Sequence, residues 1–209
     1  MKNFIAIAGN IGVGKSTLTK KLAEHLKFKA YQEPVTQNPY LEDFYKDMKK
    51  WAFHSQMFFL GKRLQDHYQI LQEKHSVVQD RSIYENAEIF AKNLHLKGLI
   101  NKRDWQVYQQ IYKTCVQILP PPDLVIYLKA STEKIMERIA IRGRDFEKSI
   151  SPKYIHDLNN LYDKWVGNFN QCQVITLSYD DLDLKNNNID FESFLAETKK
   201  YLKWVFVDT

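Results

Sequence analysis

Eight consecutive residues near the N-terminus have the types and the spacing that bind phosphate. The stretch from Gly9 to Ser16 reads G-N-I-G-V-G-K-S, which fits the pattern G-x-x-x-x-G-K-[ST]. Its glycines let backbone N–H groups turn toward phosphate oxygens, and the helix predicted to follow directs its positive end at the same place. Lys15 would reach the outer phosphates, and the Ser16 hydroxyl would ligate Mg²⁺. The predicted phosphate-binding residues are Gly9, Asn10, Ile11, Gly12, Val13, Gly14, Lys15, Ser16 and Thr17. The alternative is a glycine turn that only joins a strand to a helix.

Two further groups of charged residues follow predicted strands. Glu33 comes directly after the second strand and precedes Pro34, and Asp80-Arg81-Ser82 follows the third. A carboxylate opposite the phosphate-binding loop is placed to take a proton from an acceptor hydroxyl. Asp80 would orient Mg²⁺ through water, and Arg81 would hold Glu33 or screen phosphate charge. The alternative is a structural ion pair between neighbouring strand ends.

Arginine is scarce in this chain, with six arginines against 24 lysines, and three of the six lie within seven residues. Arg138 and Arg142 are four residues apart and share a helix face, and Arg144 follows after Gly143. Gly143 would let the chain turn away as a lid hinge requires, and a closing lid of arginines brings positive charge to a phosphoryl group in transfer. The alternative is a solvated basic helix end.

A predicted helix that begins near Trp51 carries Gln56 and Arg63 on one face, two turns apart. A glutamine amide presents one donor group and one acceptor, which matches the edge of a nucleobase. Taken alone, such a pair is more often a hydrogen-bonding pair at the surface than a base reader.

Strands and helices alternate along the chain, which predicts an α/β fold: a five-stranded parallel sheet with helices on both faces, in one domain spanning 1–209. Ligands of such sheets bind at the carboxyl ends of the strands. The predicted strands are Phe4–Ala8, Lys29–Gln32, Ser76–Gln79, Leu124–Leu128 and Gln173–Leu177. The predicted helices lie near 15–26, 41–49, 51–73, 84–96, 102–118, 132–141, 152–166 and 190–204.

Composition points away from several classes of protein. The formal charge of +5 comes from lysines that are scattered and often neighbour acids, so we expect a solvated surface and no nucleic-acid partner. No apolar run approaches membrane-spanning length, and the first residues do not resemble a signal peptide. Cys115 and Cys172 fit no metal or redox spacing. We expect both to be reduced, no membrane partner and a cytoplasmic location.

Several of these motifs occur in the order and spacing of the deoxyribonucleoside kinase family. They are Gly9–Thr17, Glu33-Pro34-Val35, Tyr45…Trp51…Phe53…Gln56, Asp80-Arg81-Ser82-Ile83-Tyr84 and Arg142-Gly143-Arg144…Glu147. The resemblance runs from residue 1 to about 185 and extends to the bacterial deoxyadenosine/deoxyguanosine kinases in particular. It implies a P-loop kinase fold with an arginine-rich lid, ATP and Mg²⁺ as cofactors, and a homodimer formed through the region 84–118.

The resemblance also implies a role for each candidate residue. Glu33 would be the base that activates the nucleoside 5′-hydroxyl, with Arg81 holding that hydroxyl and Glu33 in place. Tyr45 and Glu147 would bind the sugar 3′-hydroxyl. Gln56 would read the base edge, Phe90 would stack on the base, and Arg63 and Asn86 would complete the polar set. Arg138, Arg142 and Arg144 would form the lid.

Two departures from the family pattern bear on specificity. Several relatives carry an acidic residue or alanine where Asn86 stands. An asparagine amide can both donate and accept, so Asn86 does not by itself fix a purine preference. The segment Asp181-Leu182-Asp183-Leu184, which would hold the ATP adenine, lacks the aromatic residue that often follows there.

Three functions compete on these observations. The first is a deoxynucleoside kinase, with deoxyadenosine the expected acceptor and deoxyguanosine, deoxycytidine or broad specificity the alternatives. The second is a thymidylate-type monophosphate kinase, which usually has an arginine just before the Glu-Pro pair, where this chain has Gln32. The third is a nucleotide-binding module without catalysis, which would need neither Glu33 nor an arginine lid.

Overall fold

A five-stranded parallel sheet forms the centre of the computed structural model, which describes residues 2–32, 37–178, 180 and 188–202. The strands lie in the order β2-β3-β1-β4-β5. Their bounds are β1 Phe4–Gly9, β2 Lys29–Tyr31, β3 Val77–Asp80, β4 Leu124–Lys129 and β5 Gln173–Ser178. The predicted parallel α/β architecture is confirmed.

Helices fill the connections between strands in the order that the sequence predicts. Their bounds are α1 Lys15–Leu26, α2 Leu41–Lys46, α3 Met48–Gln72, α4 Ile83–Glu85, α5 Lys92–Leu96, α6 Lys102–Ile118, α7 Thr132–Arg142, α8 Pro152–Asn168 and α9 Asn188–Lys199. A π-helical segment, Asn86–Ala91, joins α4 to α5, so the helix predicted over 84–96 is interrupted by a wider turn. A short 3₁₀ turn, Asp145–Glu147, follows α7.

The inner strands are buried along their whole length because helices cover both faces of a parallel sheet. Every residue of β1 and β3 is buried, and so are all residues of β4 except Lys129. Continuous apolar runs such as Phe4–Ala8 are typical of strands in this position. The third strand begins and ends one residue later than predicted. Asp80 pairs with Ile7 and is therefore the last residue of β3, not the first residue after it.

The two faces of the sheet are covered by different helices. α3 packs on the face that carries Phe4 and Val77, where Ile70 completes a small apolar cluster. The β1-to-β2 and β2-to-β3 connections run in opposite directions across the sheet, so right-handed crossovers place α1 on the other face. α9 packs against α1, with the Phe191 ring 4.6 Å from the His25 ring. This arrangement leaves the carboxyl ends of β1 and β3 side by side at one edge.

No described helix combines the length and apolar composition needed to cross a membrane.

Candidate active site

A cavity of about 740 Å³ opens at the carboxyl ends of the strands. The helices and turns at these strand ends bring distant parts of the chain together. The predicted residues in the lining extend from Ile11 to Glu147, 136 positions apart. The sequence-predicted residues that line it are Ile11, Gly12, Gly14, Lys15, Ser16, Thr17, Tyr45, Gln56, Arg81, Asn86, Phe90, Arg138, Arg142, Arg144 and Glu147. The lining does not include five other predicted residues that the structure describes: Gly9, Asn10, Val13, Arg63 and Asp80. Glu33 lies outside the described residues.

The phosphate-binding loop is shaped by glycines in the left-handed region. Gly12 has φ +77° and Gly14 has φ +112°. A methyl group added at Gly12 would lie 2.7 Å from Cγ1 of Ile139, because α7 presses directly on the loop. Lys15 Nζ donates to the backbone oxygen of Asn10 at 2.8 Å, so the lysine lies folded over the loop.

Asn10 ties the loop to the rest of the molecule. Its side-chain nitrogen donates to the Ile155 carbonyl at 3.0 Å and to Asn159 Oδ1 at 2.8 Å, both on α8. Its side-chain oxygen accepts from the Ile11 N–H at 2.7 Å. The Asn10 side chain is buried, and in this structure it supports the loop from behind the cavity.

Ser16 and Asp80 form the predicted magnesium pair. Ser16 Oγ donates to Asp80 Oδ2 at 2.5 Å, and Asp80 is fully buried. The other carboxylate oxygen, Oδ1, has no hydrogen-bond partner among the described residues. A hydroxyl and a carboxylate are the hard oxygen donors that Mg²⁺ prefers, and Mg²⁺ usually takes its remaining ligands from water and substrate phosphates. These residues therefore fit a magnesium ion.

Arg81 follows β3 in a strained backbone conformation, with φ +67°. Its Nη1 donates to the Tyr162 hydroxyl at 2.8 Å and lies 3.6 Å from Glu85 Oε1. The guanidinium carbon lies 4.3 Å from the centroid of the Phe90 ring. Arg81 is thus held on several sides at the cavity wall.

Glu85 and Tyr162 are functional candidates that the sequence reasoning missed. Both side chains are fully buried, and they join Arg81 to the backbone of Gly9. One local signal was available for Glu85: Ser82 and Glu85 form a capping box at the start of α4. No local pattern singles out Tyr162, since it lies on α8, 81 residues from Arg81.

The three arginines predicted to form a lid have two partners between them: Arg138 contacts the phosphate-binding loop, and the other two share one carboxylate. Arg138 Nη1 donates to the Val13 carbonyl of the phosphate-binding loop at 2.9 Å. Arg142 makes a two-pronged contact with Glu147, with Nε and Nη2 at 3.0 and 2.7 Å from its oxygens. Arg144 Nη1 lies 3.4 Å from the same carboxylate. Gly143 ends α7 with φ +65°, as predicted for the turn between them.

Tyr45 and Glu147, the two residues expected at the sugar, line the same cavity. The Tyr45 ring stacks on Phe146, with centroids 5.7 Å apart and an angle of 28°. Glu147 is buried, and its carboxylate forms ion pairs with Arg142 and Arg144.

Gln56 and Asn86 supply amide groups to the cavity. Both side chains are buried, and neither Oε1 of Gln56 nor Oδ1 of Asn86 has a hydrogen-bond partner among the described residues. Arg63 is also buried, and its Nη1 donates to the backbone oxygen of Asp80 at 3.0 Å. The interpretation of Gln56 and Arg63 as an exposed surface pair is therefore wrong. Their helix face turns inward, with Gln56 at the cavity wall and Arg63 behind it.

Comparison with known proteins gives one consistent family. A family model described as deoxynucleoside kinase matches residues 5–203. The deoxyadenosine/deoxycytidine kinase of Bacillus subtilis is 42% identical over 197 residues, which cover 93% of this chain and 91% of that protein. The deoxyadenosine kinase of Dictyostelium discoideum is 43% identical over 162 residues, covering 78% and 66%. A solved structure of deoxyadenosine kinase from M. mycoides with bound dATP superposes with a TM-score of 0.83 at 30% identity, covering 94% of this chain and 99% of that one.

Proposed function

The chain belongs to the deoxynucleoside kinase family and is a phosphotransferase, and on this premise we propose that its preferred reaction is ATP-dependent 5′-phosphorylation of deoxyadenosine. The products are the deoxynucleoside 5′-monophosphate and ADP, as in nucleotide salvage. The observation that carries the choice of base is the pair of buried amides, Gln56 and Asn86, at the cavity wall.

A buried amide oxygen without a partner costs free energy, so a ligand that satisfies it gains affinity. Gln56 can accept a hydrogen bond from adenine N6 and donate one to a ring nitrogen. Asn86 offers a second acceptor to the same cavity. The relatives named above all carry deoxyadenosine in their names, and the one from Bacillus subtilis also carries deoxycytidine, so their names are compatible with this base without selecting it.

The sugar would lie against Tyr45 and Glu147. We propose that these side chains bind the 3′-hydroxyl, and that the tyrosine ring leaves too little room for a 2′-hydroxyl. The stack of Tyr45 on Phe146 supports this role because it holds the ring in a fixed position beside Glu147. Phe90 lines the same cavity and would stack on the base.

Phosphoryl transfer depends on positioning and charge neutralisation. We propose that Glu33 accepts the proton of the 5′-hydroxyl and that Arg81 orients that hydroxyl. Lys15 and the lid arginines Arg138, Arg142 and Arg144 would neutralise charge on the transferred group. Ser16 and Asp80 would hold Mg²⁺, which would neutralise negative charge on the phosphates.

Initial rates with ATP and each of the four deoxynucleosides, and with adenosine, test this function. We expect the largest kcat/KM for deoxyadenosine and a much smaller one for adenosine. A preference for deoxyguanosine or deoxycytidine, or similar rates with several bases, would support a deoxynucleoside kinase but contradict deoxyadenosine as its preferred acceptor. Transfer to thymidylate with no transfer to any nucleoside would point to a monophosphate kinase and contradict the proposal.

We also propose that the enzyme is a cytoplasmic homodimer. The support for a dimer is an apolar strip on α6, where Val107, Ile111 and Ile118 are exposed in a single chain. Free thiols at Cys115 and Cys172 and the use of ATP favour the cytoplasm.

A further inference from the structure

We propose that Glu85 is a positioning residue that, together with Tyr162, fixes the Arg81 guanidinium relative to the first glycine of the phosphate-binding loop. This inference rests on the proposed function, because it explains how the acceptor side and the donor side of the transfer keep their spacing.

Each oxygen of the Glu85 carboxylate has its own partners. Oε1 accepts from the Gly9 N–H at 3.1 Å, lies 2.8 Å from the Tyr162 hydroxyl and is 3.6 Å from Arg81 Nη1. Oε2 accepts from the Ser82 N–H at 2.9 Å and lies 3.4 Å from the Ser82 hydroxyl. One carboxylate therefore contacts the end of β1, the residue after Arg81, and Arg81 itself.

Tyr162 provides a second connection between the same two places. Its hydroxyl accepts from Arg81 Nη1 at 2.8 Å and lies 2.7 Å from the Gly9 carbonyl and 2.8 Å from Glu85, with one proton for these two acceptors. Burial raises the pKa of Tyr162 well above its ordinary value, so the hydroxyl keeps its proton. Glu85 and Tyr162 thus contact both the N–H and the C=O of Gly9.

Charge explains why these groups constrain one another. A buried carboxylate is stable only when it is hydrogen-bonded and paired, and a buried guanidinium has the same requirement. Glu85 is 0% exposed and Arg81 is 3% exposed, so both charges depend on protein groups for their partners. The Phe90 ring lies against the guanidinium and further restricts its orientation.

Backbone strain adds to the need for this restraint. Arg81 has φ +67°, which side chains with a Cβ rarely adopt and which persists only where the surroundings hold it. Its N–H donates to the Ile7 carbonyl at 3.0 Å, and the Glu85 carboxylate caps the next residue. These contacts direct the Arg81 side chain back across the sheet edge toward Gly9.

The consequence is a fixed distance between the phosphate-binding loop and the Arg81 guanidinium. Gly9 opens the loop that binds the donor phosphates, and Arg81 lines the cavity where the acceptor hydroxyl would lie. A displacement of about 1 Å in such an arrangement can cost about 100-fold in rate. Glu85 is not among the residues that line the cavity, whereas Arg81 is, so Glu85 would act on the reaction through Arg81.

The test compares Glu85→Gln and Tyr162→Phe with the wild-type chain. We expect kcat for the preferred deoxynucleoside to fall by roughly 10- to 100-fold in Glu85→Gln and by about 10-fold in Tyr162→Phe. The KM values for both substrates and the calorimetric Kd for ATP should change by less than about 3-fold. Because Glu85 acts through Arg81, adding Glu85→Gln to Arg81→Lys should cost less than Glu85→Gln costs alone.

Tyr127→Phe is the matched control. Tyr127 stacks on Tyr162, with centroids 5.4 Å apart, and its hydroxyl lies 3.2 Å from Asp163, away from the Arg81 contacts. We expect this variant to keep the wild-type kcat. A Glu85→Gln rate that equals wild type per folded molecule, equal losses in kcat and affinity, or additive effects with Arg81→Lys would overturn the proposal.

Amide hydrogen exchange separates this inference from the function itself and also serves if the rates are too low to measure. Loss of the carboxylate should speed exchange at the Gly9 and Ser82 amides relative to Tyr127→Phe. If the wild-type chain phosphorylates no deoxynucleoside, the proposed function fails, and faster exchange at these two amides still supports the restraint. Unchanged exchange at both amides overturns it in either case.

Discussion

At the scale of single residues, the burial of Gln56 is what makes it a candidate for ligand binding. Its amide lies on α3 at the cavity wall, 4% exposed, and its oxygen has no partner among the described residues. A glutamine in this setting is either a cost to stability or part of a binding site. The neighbouring amide of Asn86 and the cavity beside them favour the binding site.

Replacing Gln56 by glutamate tests its role as base reader. The change removes the N–H donor and adds a charge at a buried position, so we expect kcat/KM for deoxyadenosine to fall by about 100-fold or more. Steady-state kinetics measure the effect, with Gln65→Glu, an exposed glutamine on the same helix, as the control. Equal losses in both variants would contradict the assignment.

Glu33 remains a prediction of the sequence, because it lies outside the described residues. We expect Glu33→Gln to lower kcat by about 10²–10⁴-fold, the usual cost of losing a general base. ATP binding should stay nearly unchanged, since the carboxylate would face the acceptor. Turnover and ATP calorimetry on the same preparation measure both quantities, and near-normal turnover would remove Glu33 from the mechanism.

At the scale of elements, α7 and the turn after it place three arginines in two different environments. Arg138 contacts the phosphate-binding loop, whereas Arg142 and Arg144 converge on Glu147. All three arginines line the cavity, and their action as one lid stays a prediction. We infer that Glu147 holds two of the arginines beside the cavity until phosphates compete for them.

Removing the two arginines at Glu147 tests the lid. Arg142→Ala and Arg144→Ala should each lower kcat more than they raise the nucleoside KM, because their charge matters most as negative charge develops on the transferred group. Steady-state rates at varied ATP and nucleoside give the comparison. Arg103→Ala, an exposed arginine on α6, is the control. A rise in nucleoside KM alone would make this segment a substrate-binding loop.

At the scale of the whole molecule, the exposed face of α6 is the feature that a single chain does not explain. Val107 is 46% exposed and Ile118 is 69% exposed, on the same side of one helix as Ile111. A self-complementary contact between two copies would cover this strip from both sides.

A charge in this strip should separate the copies. In the double variant Val107→Glu and Ile111→Glu, four carboxylates would face one another across a two-fold axis, so we expect a dimer to become a monomer. Light scattering after size-exclusion chromatography measures the mass. Gln106→Glu, which lies on another side of α6, should leave the mass unchanged. A wild-type chain of monomer mass would reject the dimer.

Local sequence patterns determined much of this protein. The motif Gly9–Ser16 predicted a phosphate-binding turn between a strand and a helix. This prediction was possible because glycine conformations and hydrogen bonds at a helix N-terminus are local effects. Alternating apolar strands and helices predicted the parallel sheet, and the sheet predicted which edge would carry the site. Lys15 and Arg81 follow strands at that edge and line the cavity, as this reasoning predicts.

Only the tertiary structure decided which polar groups meet. Glu85 and Tyr162 lie 77 residues apart, yet both contact Gly9 and Arg81. Arg63, on the same helix face as Gln56, lies behind the cavity because α3 packs it against the backbone of Asp80. The physical reason is that residues close together in sequence determine each helix or strand and its buried face. The partner of each buried charge depends instead on how α3, α4 and α8 pack on the sheet.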